Sequence, residues 1–349
     1  MKEAIVLKGP KIEIKDVPIP KPNADQVVIK VVVSGSNPKD WKYPEWRGVT
    51  INQGDDIAGI VHEVGENVTE FKPGDRVAAF HEMASPNGSY AEYAVAWAYT
   101  TFHIPKKTSF EEAATIPLAA MTAAVGLYQR LSLPVPWNPT STPNPLIIYG
   151  AATAVGSFAI QLAQVSNIHP LIVIAGRGTK HAESLISPEK GDVILDYREG
   201  DEKLQQNLKK ALEKYGGKTE YAFDAVAEHN SDKNIASVLD HQKGKVTFVL
   251  PQDYSKVSSS IFAPLTMVGS VHSKDEPETK TPAWNRDFGF VFFRLFGRGL
   301  EQGWFKGHPY EVVPGGLNGV EKALTNLKEG KASAVKYVFR IADTEGAGK

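Results

Sequence analysis

No cysteine occurs among the 349 residues. Its absence excludes disulfides, thiolate nucleophiles and every zinc site that needs a sulfur ligand. An excess of charge is missing too. Lys and Arg number 39 against 40 Asp and Glu, for a formal net charge of -1, and no block of like charges forms a basic arm. Nothing in this balance draws nucleic acid or an anionic membrane, so a small molecule is the expected partner. The opening MKEAIVLKGPKIEIKD has too short an apolar run for a signal peptide, which makes the cytoplasm the expected location. Pro145–Val165 has the length of a membrane span, but two glycines and several Ser, Thr and Gln divide it into a strand, a tight turn and a buried helix. FVFFRLF (Phe290–Phe296) is too short to span and carries Arg294. No internal repeat is present.

The length predicts two domains. Early in the chain, short apolar runs alternate with turn signals: AIVLKG, KIEIKDV, DQVVIKVVVSGSNP, DIAGIVHEVG and, after the turn Lys72-Pro73-Gly74-Asp75, DRVAAF. This pattern predicts a β-rich, barrel-like region. From Ser109, an N-cap with Glu111 and Glu112 behind it, the texture becomes helical. A Pro-rich loop over Leu133–Pro145 leads into strands that alternate with helices, the signature of a doubly wound parallel sheet. The fold class is therefore α/β, a β-rich domain with an inserted parallel-sheet domain. The expected boundaries are 1–125, 126–270 and a return to the first domain over 271–349, with DTEGAGK disordered at the end.

In LIIYGAATAVGSFAIQ, a buried strand ends at Ile148 and a helix begins near Phe158. Between them the chain must turn tightly enough to aim free helix amides at a pyrophosphate. The three positions of a G-x-G-x-x-G pattern are Ala151, Thr153 and Gly156, a small-residue version in which Thr153 offers a hydroxyl to phosphate. Gly150, Ala154 and Val155 complete the turn. Small residues that merely pack a helix on a sheet would read the same way. The next strand, LIVIAG, is followed by no acid to hold ribose hydroxyls. Instead come Arg177, Lys180 and His181, cations suited to a 2′-phosphate, so the expected cofactor is NADPH.

The segments SGSNPKDWK (Ser34–Lys42), GDDIAGIVHEVGENVTEFKPGDRV (Gly54–Val77), NGSYAEYA, AATIPLAAMTAAVGL (Ala113–Leu127), YGAATAVG, DYR (Asp196–Arg198) and GGLNGVEKALTNLKEGKAS (Gly315–Ser333) stand in one order. In that order they resemble the medium-chain dehydrogenase/reductase superfamily, in its zinc-free quinone oxidoreductase and fungal trans-acting enoyl reductase branch. The resemblance implies a Rossmann domain inserted in a β-rich catalytic domain, NADPH between them, and Tyr197 near the 2′-phosphate beside Lys180. It also implies either a homodimer through the Rossmann edge, to which Thr266–Ser273 is suited, or a monomer beside a synthase.

Zinc-dependent members of the superfamily carry Cys where this chain has Asn37, and His-Glu where it has Asp55-Asp56. HEVG (His62–Gly65) lacks the second His of H-E-x-x-H, so His62 and Glu63 are expected to be structural and no metal is expected. Without a Lewis acid, hydride transfer needs an acceptor that is already electron-poor, an activated C=C (enone or enoyl) or a quinone. The site must then stabilise the oxygen on which negative charge develops. By the resemblance Lys42 is the cationic donor, Thr122 contacts cofactor or substrate, and Asn37 lines the pocket. Trp41, Tyr43, Trp46 and the aromatics of Trp284–Phe293 are offered as its apolar wall. The alternatives are a broad quinone and reactive-carbonyl reductase, or a non-catalytic NADPH-binding scaffold.

Overall fold

The computed structural model describes residues 1–273 and 284–348. These divide into two compact units, one built from Met1–Met121 with Gly269–Lys349, the other from Thr122–Val268. Along the first come β1 (Lys2–Val6), β2 (Ile12–Asp16), β3 (Gln26–Gly35), α1 (Lys39–Arg47), β4 (Asp56–Val64), β5 (Arg76–Phe80), β6 (Tyr93–Trp97), β7 (Thr101–His103) and α2 (Phe110–Ala113). Helix α3 (Pro117–Ala124) carries the chain into the second unit. There follow β8 (Leu146–Tyr149), α4 (Ala154–Val165), β9 (Leu171–Ala175), α5 (Thr179–Glu183), β10 (Val193–Asp196), α6 (Asp201–Ala211), β11 (Tyr221–Asp224), α7 (Ser231–Ala236) and β12 (Lys245–Phe248). The chain then completes the first unit with α8 (Trp284–Gln302), β13 (Tyr310–Val312), α9 (Val320–Lys328) and β14 (Lys336–Arg340).

In the first unit the sheet order is β13-β14-β3-β4-β5-β7, with β6 also on β3. Strand β3 is the centre because QVVIKVVVSG is β-branched at most positions and can bury both faces. Val27, Ile29 and Val31 share a core with Ile57, Val77, Phe339 and Leu324. The register sets Gly35 of β3 against both Asp56 of β4 and Val338 of β14. Three distant stretches of sequence therefore meet where the polar centre described below is built.

The second unit is a five-stranded parallel sheet, order β10-β9-β8-β11-β12. The order reverses between β8 and β11, and the crevice outside the carboxyl ends of such strands is where this architecture takes ligands. Ile147, Tyr149, Ile172, Ile174, Leu204 and Leu208 pack one face.

Several expectations are corrected. SNPKDWK, to which no element was assigned from the sequence, opens α1, which Gly48 ends in the left-handed region with its amide on the Pro44 carbonyl. Val268–His272 is a 3-10 turn and not an edge strand; the segment beside β12 is instead Phe262–Leu265, bridged at Lys245 and Phe248. The tail is ordered as far as Gly348: the Thr344 hydroxyl accepts from Leu317 N at 2.9 Å and Gly348 N donates to Glu92 at 2.7 Å. Phe292, Phe293 and Phe296 are fully buried, Phe293 stacking with Phe102 and Phe296 with Phe305, so these aromatics of α8 are core of the first unit.

Candidate functional site

In the second unit the turn after β8 is held by Gly150, whose φ is +83°; a Cβ there would also overlap Val226. The demand for glycine thus falls at Gly150, one residue before the first pattern position, and Ala151 is buried without strain. A Cβ on Gly156 would overlap the Gly150 carbonyl and stand 2.9 Å from Cα of Ala151. That close approach packs the start of α4 onto the turn.

Thr153 is the N-cap of α4: its hydroxyl donates to Gly150 O at 2.8 Å and accepts from Gly156 N at 3.0 Å. Its proton is engaged within the turn, which corrects the expectation that this hydroxyl is offered to phosphate. The amides of Ala154 and Val155, first in the helix, have no partner within it by helix geometry. They form, with the helix dipole, an anion seat. The residues present therefore suit the pyrophosphate of a dinucleotide.

Beyond β9, Arg177 and Lys180 are both exposed, Lys180 within α5. Tyr197 follows β10 and turns its ring over Gly176: a Cβ on Gly176 would overlap Cε1 and lie 2.7 Å from the phenol oxygen. The ring thus stands at the carboxyl end of β9, where the two cations begin. His181 Nε2 lies 3.1 Å from the hydroxyl of Ser157 on α4, and burial holds its pKa below the ordinary value. Asp196 accepts from Arg198 Nε at 2.9 Å and Arg198 N at 2.9 Å, so the acid and the base of DYR satisfy each other.

In the first unit a buried polar centre joins four segments. Lys336 of β14, 4% exposed, donates from Nζ to Asp56 Oδ2 at 2.6 Å, to Asn37 Oδ1 at 3.1 Å and to the Thr115 carbonyl at 3.4 Å. Asn37 Nδ2 donates to the same Asp56 oxygen at 2.7 Å, and Asp56 Oδ1 accepts from Leu118 N, at the start of α3, at 2.7 Å. Both ends of the Asn37 amide are thus engaged inside the centre, and its expected place as a pocket-lining group becomes that of a strut. Asn37 and Asp56, at positions where zinc-dependent members of the superfamily differ in residue type, hold an ammonium among oxygens.

A second network lies alongside. Asp40 accepts from Asn37 N at 2.7 Å and Tyr90 OH at 2.6 Å, while Lys39 pairs with Asp40 at 3.1 Å, with Asp55, and donates to Gln53 O at 2.6 Å. His81 Nδ1 lies 3.0 Å from the other Asp55 oxygen. Burial pushes Asp40 up to about 6, against the pull of Lys39. At Asp55 burial acts in the same direction but Lys39 and His81 outweigh it, and its pKa falls. Two adjacent buried acids are thereby driven apart.

Lys42 lies on α1, its Nζ 5.6 Å from the ring centre of Trp41 and 5.7 Å from that of Trp46. Trp41 packs on the core and Trp46 is exposed. Thr122 is buried on α3, one turn after the Leu118 amide that Asp56 holds. His62 stacks edge-on with Tyr93 and Glu63 pairs with Lys21 at 3.0 Å on the surface. Sequence reasoning missed Lys336, Lys39, Asp40 and His81. The one available signal was a lysine set inside the apolar run AVKYVFRI.

The alcohol dehydrogenase GroES-like domain matches residues 23–106. The chain is 52% identical over 324 residues to the trans-enoyl reductase fsr4 of Gibberella fujikuroi, covering 91% of this chain and 92% of that protein. Among solved structures, the CurK enoyl reductase superposes with a TM-score of 0.72 at 19% identity, covering 97% of this chain and 98% of that one. A mycobacterial protein complexed with NADPH gives 0.71 at 22%, covering 97% and 99%. These two structural likenesses establish the fold.

Proposed function

Because the chain belongs to the trans-enoyl reductases, a branch of the medium-chain dehydrogenase/reductase superfamily, we propose that it is an NADPH-dependent, metal-independent reductase of an enone or enoyl C=C. The observation that carries the choice of cofactor is the meeting of Tyr197 with Gly176 at the mouth of β9, beside Arg177 and Lys180 and with no acid in the preceding stretch. The amides of Ala154 and Val155 hold the pyrophosphate, with Gly150, Ala151, Thr153 and Gly156 keeping the turn tight. Arg177, Lys180 and Tyr197 hold the 2′-phosphate through charge-assisted hydrogen bonds.

The bound cofactor supplies a hydride. This chain's own task is to stabilise the acceptor oxygen as it gains charge, which Lys42 does as a cationic donor. Its ammonium lies near two indole rings, whose faces favour the cationic form. Thr122 orients cofactor or substrate from α3. The expected substrate is a small molecule, and the expected location the cytoplasm.

The test is NADPH consumption by the purified protein with a conjugated enone, a short enoyl thioester and an ortho-quinone, each product identified by mass. A saturated ketone or thioester supports the reading. Turnover of the quinone alone moves the assignment to quinone reduction, and binding of NADPH without turnover of any acceptor overturns the catalytic reading.

A further inference from the structure

The Lys336 ammonium has three N–H groups and three oxygens around it, from Asp56, Asn37 and Thr115. All four residues are buried. The site is built for the charge, since a Cβ on Gly35 would stand 3.1 Å from Lys336 Cε and overlap the Ala114 carbonyl. The absence of a side chain there clears the path of the lysine stem.

A buried ion pair is a poor device for stability alone, because desolvating both charges consumes most of their attraction. What it does supply is direction. Each oxygen is fixed by a named donor, and each belongs to a segment that must be placed: Asn37 at the entry of α1, Asp56 at the start of β4, Thr115 before α3. From Asn37 the register passes to α1 directly, because its backbone N–H donates to Asp40 Oδ2 at 2.7 Å within the helix's first turn.

We propose that Lys336 is the tethered cation of this centre and a positioning residue for the reductase, setting Asn37 and through it the end of α1 from which Lys42 projects. The inference rests on the reading of Lys42 as the oxygen-stabilising group. It assigns to β14, far from that residue in sequence, the task a bound cation would perform: drawing several oxygens into one arrangement.

The experiment compares wild type with Lys336→Met, Lys336→Ala and the charge-neutral pair Lys336→Met/Asp56→Asn. Melting temperature and steady-state kinetics are read with NADPH and a conjugated enone. Lys336→Met is expected to lose melting temperature and at least tenfold in kcat. The double variant regains most of the melting temperature but not kcat, since its charges balance while the ammonium that joined Asn37, Asp56 and Thr115 is gone. Propylammonium, the portion of the side chain that Lys336→Ala lacks, is expected to raise the melting temperature of that variant and recover several-fold of kcat, with methylammonium weaker at equal concentration.

A double variant with wild-type kcat would reduce Lys336 to charge balance and overturn the proposal, as would kcat within twofold of wild type in Lys336→Met. The two readings fail separately. If Lys42→Ala leaves kcat/KM unchanged, the assignment of Lys42 falls. If Lys42→Ala is impaired and no Lys336 variant is, the positioning role falls. The melting response of Lys336→Ala to propylammonium reads the cation seat without any turnover, and its absence counts against the seat itself.

Discussion

Tyr197 lays its phenol against the backbone of Gly176, so that a Cβ there would come within 2.6 Å of Cζ and 2.7 Å of the oxygen. The far end of a side chain can swing away, so Gly176→Ala is expected to displace the ring without unfolding the domain. The KM for NADPH should rise about tenfold, the scale of one lost charge-assisted hydrogen bond. Tyr197→Ala should rise similarly, and Gly176→Ala added to Tyr197→Ala should cost nothing more. Additive losses in that cycle would show that Gly176 acts on the cofactor site by another route.

Arg177 and Lys180 lie where an acid would be needed to hold the two hydroxyls of an unphosphorylated ribose. Lys180→Ala is expected to raise the KM for NADPH by ten- to a hundredfold, from the loss of about 1.5–3 kcal/mol for a hydrogen bond to a charged group. NADH should be nearly unaffected. Kinetics with both cofactors in wild type, Arg177→Ala and Lys180→Ala read this directly, and equal losses with both cofactors would remove the 2′-phosphate assignment.

Lys42 is expected to act on the transition state. Removing one preorganised donor from a developing oxyanion typically costs about a hundredfold or more in kcat, and a solvent-reached cation less. Lys42→Ala should therefore lower kcat/KM for the acceptor at least tenfold while leaving the KM for NADPH within about twofold. Lys42→Arg should recover part of the loss. An acceptor kcat/KM within twofold of wild type in Lys42→Ala would return the residue to the role of packing on Trp41 and Trp46.

The sequence made the layers of this fold legible wherever a local pattern dictated them. Alternation and turn residues marked β1 to β5, the strand-turn-helix at Ile147–Gly156 marked the start of the parallel sheet, and Ser109 marked a helix start that it does cap, accepting from Glu112 N at 3.0 Å. What escaped was nonlocal. Lys336 and Asp56 are 280 residues apart, and nothing within either strand announces the other. Helix α1 escaped for a different reason: with Pro38 at its cap and Pro44 inside it, local propensity argues against a helix. The Asn37–Asp40 bond and Gly48 decide for one. After β8 the motif's spacing marked the turn but not the residue that must be glycine, because a positive φ at Gly150 is a property of the turn and not of the pattern.

Asp40 makes the stability of the first unit depend on pH in an unusual direction. Its pKa is raised from 3.8 to about 6, chiefly by burial. Between those values the folded protein holds more protons than the unfolded chain, so this group makes stability fall as pH rises from about 4 to about 6 and then level off. A shift of that size corresponds to about 3 kcal/mol, an upper bound for one acid so coupled to Lys39. Asp55, with its pKa lowered, works the other way and in another window, losing stability only as pH drops below about 4. Asp40→Asn keeps an oxygen for the Tyr90 hydroxyl and removes the titration. The melting temperature of this variant minus that of wild type should therefore increase from pH 4 to pH 7 and stay constant above. A difference that does not change over that range would mean that Asp40 keeps its ordinary pKa, and that the hydrogen bonds from Tyr90 and Asn37 with the Lys39 pair offset its burial in full.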